Sequence, residues 1–266
     1  MSEPGLCAAA FIPARLTSVR LPRKLLAPIG GRPALAFLID RVKTSGIETI
    51  VLCTTDDPED DELAELARKQ GVECYRGDRE DIILRFDEAA KHFSADLIVN
   101  VDGDDIFCDP GLMARTAAVL KAGESDFVRW KQLPLGASPV GFTAAALSIV
   151  RKGKTVSTTA TGWGRFFMNP GLFRVAELDP PPMESFSPDL RLTLDYPADY
   201  ALMQAIEAEL TPTDPNFGVD AIVRLVNRKP EMLGIVRGLN EAYWARFEEV
   251  AVDPTVIRGR QGIEES

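Results

Sequence analysis

Apolar positions along the chain follow two alternating rhythms. Leu6–Ile12, Glu48–Cys53, Val72–Tyr75 and Ala95–Val101 are short apolar runs of strand length. Between and after them, Pro33–Ser45, Pro58–Gln70, Asp78–Phe93 and Pro110–Ala122 carry apolar residues at helical spacing. Ile82, Ile83, Phe86, Ala89, Ala90 and Phe93 mark the buried stripe of the third helix. Gly46 and Gly71 suit helix C-termini, and acidic residues follow Pro58 in a first turn. Strand and helix alternating at this spacing predict an α/β fold with a mostly parallel sheet flanked by helices. Ligands of such sheets bind beyond the carboxyl ends of the strands.

From Ser125 the rhythm changes. Asp126–Trp130 reads as a strand, Pro134–Pro139 as a loop, and Gly141–Val150 as a strand turning into a helix. Arg151–Asn169 is basic and rich in Thr, Ser and Gly; a proline-rich loop runs from Pro180 to Pro188. Residues 125–190 are expected to form a lid or acceptor subdomain inserted in a single domain spanning 1–266. Arg191–Leu194 returns to strand, Pro197–Leu210 and Gly218–Arg228 are helices, and the polar tail after Asp253 is expected to fray.

Composition narrows the classes. The 266 residues carry a net charge of −10, which disfavours a general nucleic-acid binder. No apolar run approaches the ~20 residues of a membrane span, and the N-terminus does not read as a signal peptide. The four cysteines (Cys7, Cys53, Cys74 and Cys108) lack a CxxC pair and read as small buried hydrophobes in a reducing, cytoplasmic compartment. The single His92 reads as structural, so a His-centred triad is not expected. Neither GxGxxG nor GxxxxGK[ST] is present.

Against the acidic background stands one cationic stretch. Arg15, Arg20, Arg23, Lys24 and Arg32 follow the first strand, with no acidic residue between Glu3 and Asp40. Guanidinium and ammonium groups at a strand end suit a polyanion such as a nucleoside triphosphate. The second feature, LIVNVDGDD at 97–105, ends an apolar strand in clustered carboxylates, hard oxygen ligands of the kind that hold Mg²⁺ together with phosphate oxygens. Its Asp102-Gly103-Asp104 is also a DxD, the pattern that holds the metal of a nucleotide-sugar donor in GT-A glycosyltransferases, and that reading stays open as the alternative. A nucleotide-binding subunit without catalysis is a third reading.

ARLTSVRLPRK followed by LLAPIGGRP, residues 14–33, resembles the N-terminal signature of sugar nucleotidylyltransferases. It is most similar to cytidylyltransferases that make CMP-activated acidic sugars, including CMP-KDO synthetases and SpsF-like proteins. The resemblance implies a Rossmann-like nucleotide-diphospho-sugar transferase fold. It implies transfer of CMP from CTP to an acidic sugar, KDO-like or sialic-acid-like, with release of pyrophosphate by a homodimer. Arg15, Ser18, Arg20 and Lys24 match the triphosphate-binding positions, with Arg15 and Lys24 catalytic. Arg23 departs from the family's usual Gly. Asp104 matches the metal-binding Asp after the strand, with Asp102 beside it replacing a Gln or Thr. Asp195, in LRLTLDYPADY at 190–200, matches a second Asp on the same Mg²⁺; Asp199 is the weaker candidate. Thr54, Thr55 and Arg76 stand at strand ends where a nucleobase would lie. Arg129, Lys131, Trp163 and Arg165 are candidates for the acceptor.

Overall fold

The structure, a computed structural model, describes residues 5–169 and 171–253. In chain order it places β1 (Ala8–Pro13), a small hairpin of β2 (Pro28–Ile29) and β3 (Arg32–Pro33), α1 (Ala34–Lys43), β4 (Thr49–Thr55), α2 (Asp61–Gln70), β5 (Glu73–Gly77), α3 (Ile82–His92), β6 (Leu97–Asn100) and α4 (Pro110–Lys121). There follow β7 (Phe127–Trp130), β8 (Val140–Thr143), α5 (Ala144–Gly153), β9 (Val175–Leu178), α6 (Pro197–Leu210), α7 (Val219–Arg228) and α8 (Leu239–Val250).

Seven strands form one sheet in the order β5-β4-β1-β6-β8-β7-β9. β1 is parallel to β4 and β6, whereas β8 runs antiparallel between β6 and β7. β1 is buried on both faces, as its unbroken apolar run predicts. Ala10 and Ile12 pack towards α1, α4, α6 and α7, while Ala9 and Phe11 pack towards α3 and α5. The chain leaves β1 for β4 on one side and returns as β6 on the other. This reversal opens a crevice at the carboxyl ends of β1 and β6.

The first-half elements fall where periodicity puts them, with shifted ends. β4 continues through Thr54 and Thr55 instead of stopping at Cys53. The third helix begins at Ile82, where the Asp81 carboxylate caps it by accepting from Leu84 N. Asp109 caps α4 by accepting from the amides of Gly111 and Leu112. Residues 125–190 contribute β7, β8 and β9 to the main sheet. Arg191–Leu194 is not a strand: it is an extended segment between two loops. Leu192 N donates to Leu135 O at 2.6 Å and Leu194 N to Asp104 O at 2.9 Å, without the repeating ladder a strand needs. α8 was not expected: Leu239, Tyr243, Phe247 and Val250 recur at helical spacing, yet none of the helix's residues is fully buried. The expected fraying tail at 254–266 lies outside the described residues. All four cysteines are free thiols, and His92 packs between Tyr75 and Phe93. Among the described residues no helix is long and apolar enough to cross a membrane.

One glycine decides how closely the two strand ends meet. Gly103 N donates to Pro13 O at 3.0 Å, and a Cβ at position 103 would sit 2.7 Å from that same carbonyl oxygen. Gly103→Ala is therefore expected to destabilise the fold by about 1–3 kcal/mol. An unchanged urea midpoint would show that this approach tolerates a methyl group.

Candidate active site

The approach at Gly103 brings the loop after β6 over the end of β1. Val101 N donates to Phe11 O at 3.0 Å, and Asp105 N donates back to Asp102 O at 2.9 Å. This short turn presents Asp102, Asp104 and Asp105 together. The bond from Leu194 N to Asp104 O then carries Asp195 to the same place. From the basic loop, the Lys24 ammonium lies 2.5 Å from Asp104 Oδ2 and 2.9 Å from Asp195 Oδ1. Arg20 donates to Asp195 as well, with its guanidinium 5.3 Å from the Tyr196 ring centroid.

Electrostatics here is a contest between burial and pairing. Burial works against the Lys24 ammonium, but Asp104 and Asp195 outweigh it and hold its pKa above the ordinary value. Burial likewise opposes the Asp195 carboxylate, and Lys24 and Arg20 overcome it, so its pKa is lowered. For Asp102 the hydrogen bond from Asn100 Nδ2 at 3.0 Å and the Lys24 charge do not suffice. Burial, then the neighbouring Asp104 charge, push its pKa up to about 6, and the same two causes raise Asp105.

Asp199 faces away from this cluster. Its carboxylate accepts from the amides of Asp195 and Tyr196 at 2.9 and 2.8 Å and pairs with Arg191 Nε at 2.7 Å. Both side chains of that ion pair are fully buried. Asp199 thus shapes the turn that presents Asp195.

The cleft encloses about 410 Å³, and Arg15, Ser18, Arg20 and Lys24 all line it. At its other end lie Arg15, Arg79 and Arg85. Arg85 is only 4% exposed; Nη1 donates to Asp78 O at 3.0 Å, and Nε has no partner. Burial pushes its pKa down, and the nearby Arg15 charge adds to this. Sequence reasoning missed Arg85. The available signal is a guanidinium three residues after Ile82 and four before Ala89, inside the buried stripe of α3. Beneath this end, Asp81 takes the Lys154 ammonium and the Thr159 hydroxyl, which fixes the segment leading to Thr161–Trp163. Tyr243, Arg246 and Phe247 of α8 complete the lining and were also missed.

Other candidates lie elsewhere. Thr54 and Thr55 are buried within β4 and do not line the cleft; the Thr55 hydroxyl donates to Asp60 at 2.5 Å. Arg76 donates to the carbonyls of Thr55 and Asp57 and pairs with Asp61, outside the cleft. Arg129, Lys131 and Arg165 pair with Glu177, Asp179 and Glu248. Trp163 touches the cleft but packs in the core against Phe86 and Phe142. Arg23 turns outward to Glu62 with two 2.7 Å hydrogen bonds. Its φ of 56° is left-handed, a conformation that glycine adopts without strain and arginine does not, so the geometry suits a glycine and does not explain the arginine.

Among the described residues no trio of His, Cys, Asp or Glu is arranged to hold a metal alone. The aspartate end nevertheless carries four carboxylates against the charges of Lys24 and Arg20, an excess that suits a divalent cation completed by phosphate oxygens.

A parallel sheet reversing at β1 and β6, a basic loop after the first strand and carboxylates after β6 define a nucleotidyltransferase. The chain belongs to the cytidylyltransferase family, whose profile matches residues 9–210. It is 28% identical over 229 residues to the spore coat polysaccharide biosynthesis protein SpsF of Bacillus subtilis, covering 83% of this chain and 94% of that one. It is 32% identical over 144 residues to 3-deoxy-manno-octulosonate cytidylyltransferase of Aeromonas salmonicida, covering 52% and 55% of the two chains. A cytidylyltransferase structure from Leptospira borgpetersenii superposes with a TM-score of 0.77 at 24% identity, covering 86% of this chain and 97% of that one. The family does not favour the glycosyltransferase alternative for Asp102-Gly103-Asp104.

Two outcomes follow from the site's geometry. Because the folded pKa of Asp102 lies above the ordinary value near 4, the native state holds an extra proton between about pH 4 and 6, and stability falls as pH rises through that window. In chelator, Asp102→Asn should be more stable than wild type by about 1–3 kcal/mol at pH 7, the gap narrowing below about pH 6 and closing near pH 4. A gap that persists at pH 4 contradicts this assignment. Arg23→Gly trades an exposed ion pair for relief of the left-handed backbone, so its thermal midpoint and its turnover should both stay close to those of wild type; a large loss of either contradicts this.

Proposed function

We propose that this chain transfers CMP from CTP to a hydroxyl of an acidic sugar of the KDO or sialic-acid kind and releases pyrophosphate. The observation that carries this reading is the meeting of Lys24 with Asp104 and Asp195 beneath a loop bearing Arg15, Ser18 and Arg20. A metal-carboxylate end and a cationic end in one cleft suit a triphosphate whose α-phosphorus must be attacked while its β- and γ-phosphates are held.

The acceptor hydroxyl gives up its proton to solvent as its oxygen bonds to the α-phosphorus, and the bond from that phosphorus to the pyrophosphate oxygen breaks in line, its electron pair leaving with pyrophosphate. Arg15, Arg20 and Lys24 hold the phosphates and offset the charge that grows on the leaving pyrophosphate, a preorganised contribution needing no solvent rearrangement. The Ser18 hydroxyl adds a neutral donor. Arg85 and Arg79, beside Arg15, extend the same cationic surface. Asp104 and Asp195, with Asp102 behind them, would hold Mg²⁺, which when bound polarises the phosphate and lowers the pKa of the attacking hydroxyl. The SpsF relative's name points to polysaccharide biosynthesis. The likeness to CMP-KDO synthetases supports a homodimer acting in the cytoplasm.

The test is pyrophosphate release with Mg²⁺, comparing CTP with ATP, GTP and UTP against 3-deoxy-manno-octulosonate and N-acetylneuraminate. Release is expected with CTP and one acid; silence with CTP across acidic sugars would defeat the substrate assignment. Lys24→Ala is expected to lower turnover about 100-fold or more. Near-wild-type turnover in that variant would show that Lys24 does not stabilise the leaving pyrophosphate.

A further inference from the structure

We infer that α8 is the acceptor-recognition element of the site, with Arg246 receiving the carboxylate of the sugar and Tyr243 its hydroxyl-bearing end. The inference rests on the reading of the chain as a CMP-sugar synthetase and names residues that lie beyond the family-matched span, which ends at residue 210.

α8 is a strap tied down at both ends. At the start, Arg191 Nη1 donates to Asn240 Oδ1 at 3.1 Å, and Asn240 Nδ2 donates to Pro188 O at 2.5 Å. At the finish, Val252 N donates to Thr161 O at 3.1 Å, and Arg165 pairs with Glu248 while its guanidinium lies 4.9 Å from the Phe247 ring centroid. Gly162 permits the closest contact, since a Cβ there would lie 2.8 Å from Ala251 Cβ. The helix thus crosses from the wall that presents Asp195 to the wall formed by residues 161–165.

Its inward face is not a core face. Tyr243, Arg246, Phe247 and Val250 follow the spacing of one side of a helix, and all four line the cleft. None of the helix's residues is buried. A face that gives the core nothing, yet joins aromatic rings to a guanidinium, has the composition of a ligand surface. Tyr243 stands over the Arg191 guanidinium, 5.2 Å from its ring centroid, and that same guanidinium lies 3.8 Å from Asp195 Oδ2. The phenol O–H is thereby set on the wall that presents Asp195, as a donor to the sugar. Arg246 follows ~4.5 Å further along the helix axis. Among the described residues Arg246 makes no ion pair, whereas Arg129, Lys131 and Arg165 each have an acidic partner.

The test uses full-length protein with Mg²⁺ and α,β-methylene-CTP, which is not cleaved at the bond that must break. 3-Deoxy-manno-octulosonate, N-acetylneuraminate and neutral N-acetylmannosamine are titrated by calorimetry into wild type, Arg246→Gln and Tyr243→Phe. At least one acid should bind wild type. Arg246→Gln should weaken that acid about tenfold or more, the effect of losing a charged hydrogen bond, without changing analogue affinity or the thermal midpoint. Tyr243→Phe keeps the ring and should weaken the same acid several-fold. Equal binding of the acid by wild type and Arg246→Gln overturns the assignment, as does equal loss of the neutral sugar. Failure of every acid to bind wild type while the analogue binds defeats the acceptor assignment and leaves the nucleotide reading standing. Failure of the analogue itself brings down both.

Discussion

A single ammonium ties this site together. Lys24 meets Asp104 across 80 positions and Asp195 across 171, so three distant segments share one buried cation. Removing an ammonium from water is costly unless charge and hydrogen bonds replace the lost hydration. Two carboxylates do so here, and much of the local structure serves to deliver them. Gly103 lets the β6 loop reach the end of β1, and the backbone bond between Leu194 and Asp104 joins the two aspartate segments. The buried pair of Arg191 and Asp199 is a weak source of stability by itself. Its use is geometric, because Asp199 accepts both amides of the turn that offers Asp195.

Charge is unevenly shared along the cleft. The chain is acidic overall, yet the cleft holds crowded carboxylates at one end and crowded guanidiniums at the other. Each end is unfavourable by itself: Asp102 and Asp105 have their pKa values pushed up, and Arg85 has its pushed down, by burial joined to a like neighbour. A ligand with a divalent cation at one end and phosphates at the other relieves both strains at once. This makes binding energy available at the two positions where charge changes during phosphoryl transfer.

The parts legible in the sequence are those whose pattern is local. Alternating strand and helix periods mark the eight large elements from β1 to α4, because β1 and its neighbours are buried on both faces and the helices on one. The basic loop and LIVNVDGDD were legible as charge set against background. Thr54 and Thr55 do not line the cleft because β4 runs two residues further than its apolar run and draws both into the sheet, and Arg76, on β5, is held by the carbonyls of Thr55 and Asp57 and by Asp61. Arg191–Leu194 looked like a strand since its leucines alternate, but its partners are two loops that no local pattern reveals. Arg129, Lys131 and Arg165 looked available because their acidic partners are far away in the chain or on the next strand. α8 was missed for a different reason: its short stripe of Leu239, Tyr243, Phe247 and Val250 is interrupted by Arg246, and from Tyr243 on it lines the cleft instead of filling the core.

Arg191 connects these two kinds of element. Its guanidinium pairs with Asp199 and also lies 5.2 Å from the ring centroid of Tyr243. The turn that sets Asp195 and the helix that closes the cleft therefore share one buried support. A displacement of α8 large enough to admit a sugar must either leave Arg191 in place, losing the Tyr243 ring and the Asn240 bond, or carry Arg191 along and disturb the Asp195 turn. The first course sacrifices one ring contact and the two hydrogen bonds of Asn240, to Arg191 and to Pro188. The second breaks a fully buried ion pair and exposes two amides to loss of their acceptor, a far larger cost. Opening at the Asn240 end, with the aspartate wall held still, is accordingly the motion the packing favours.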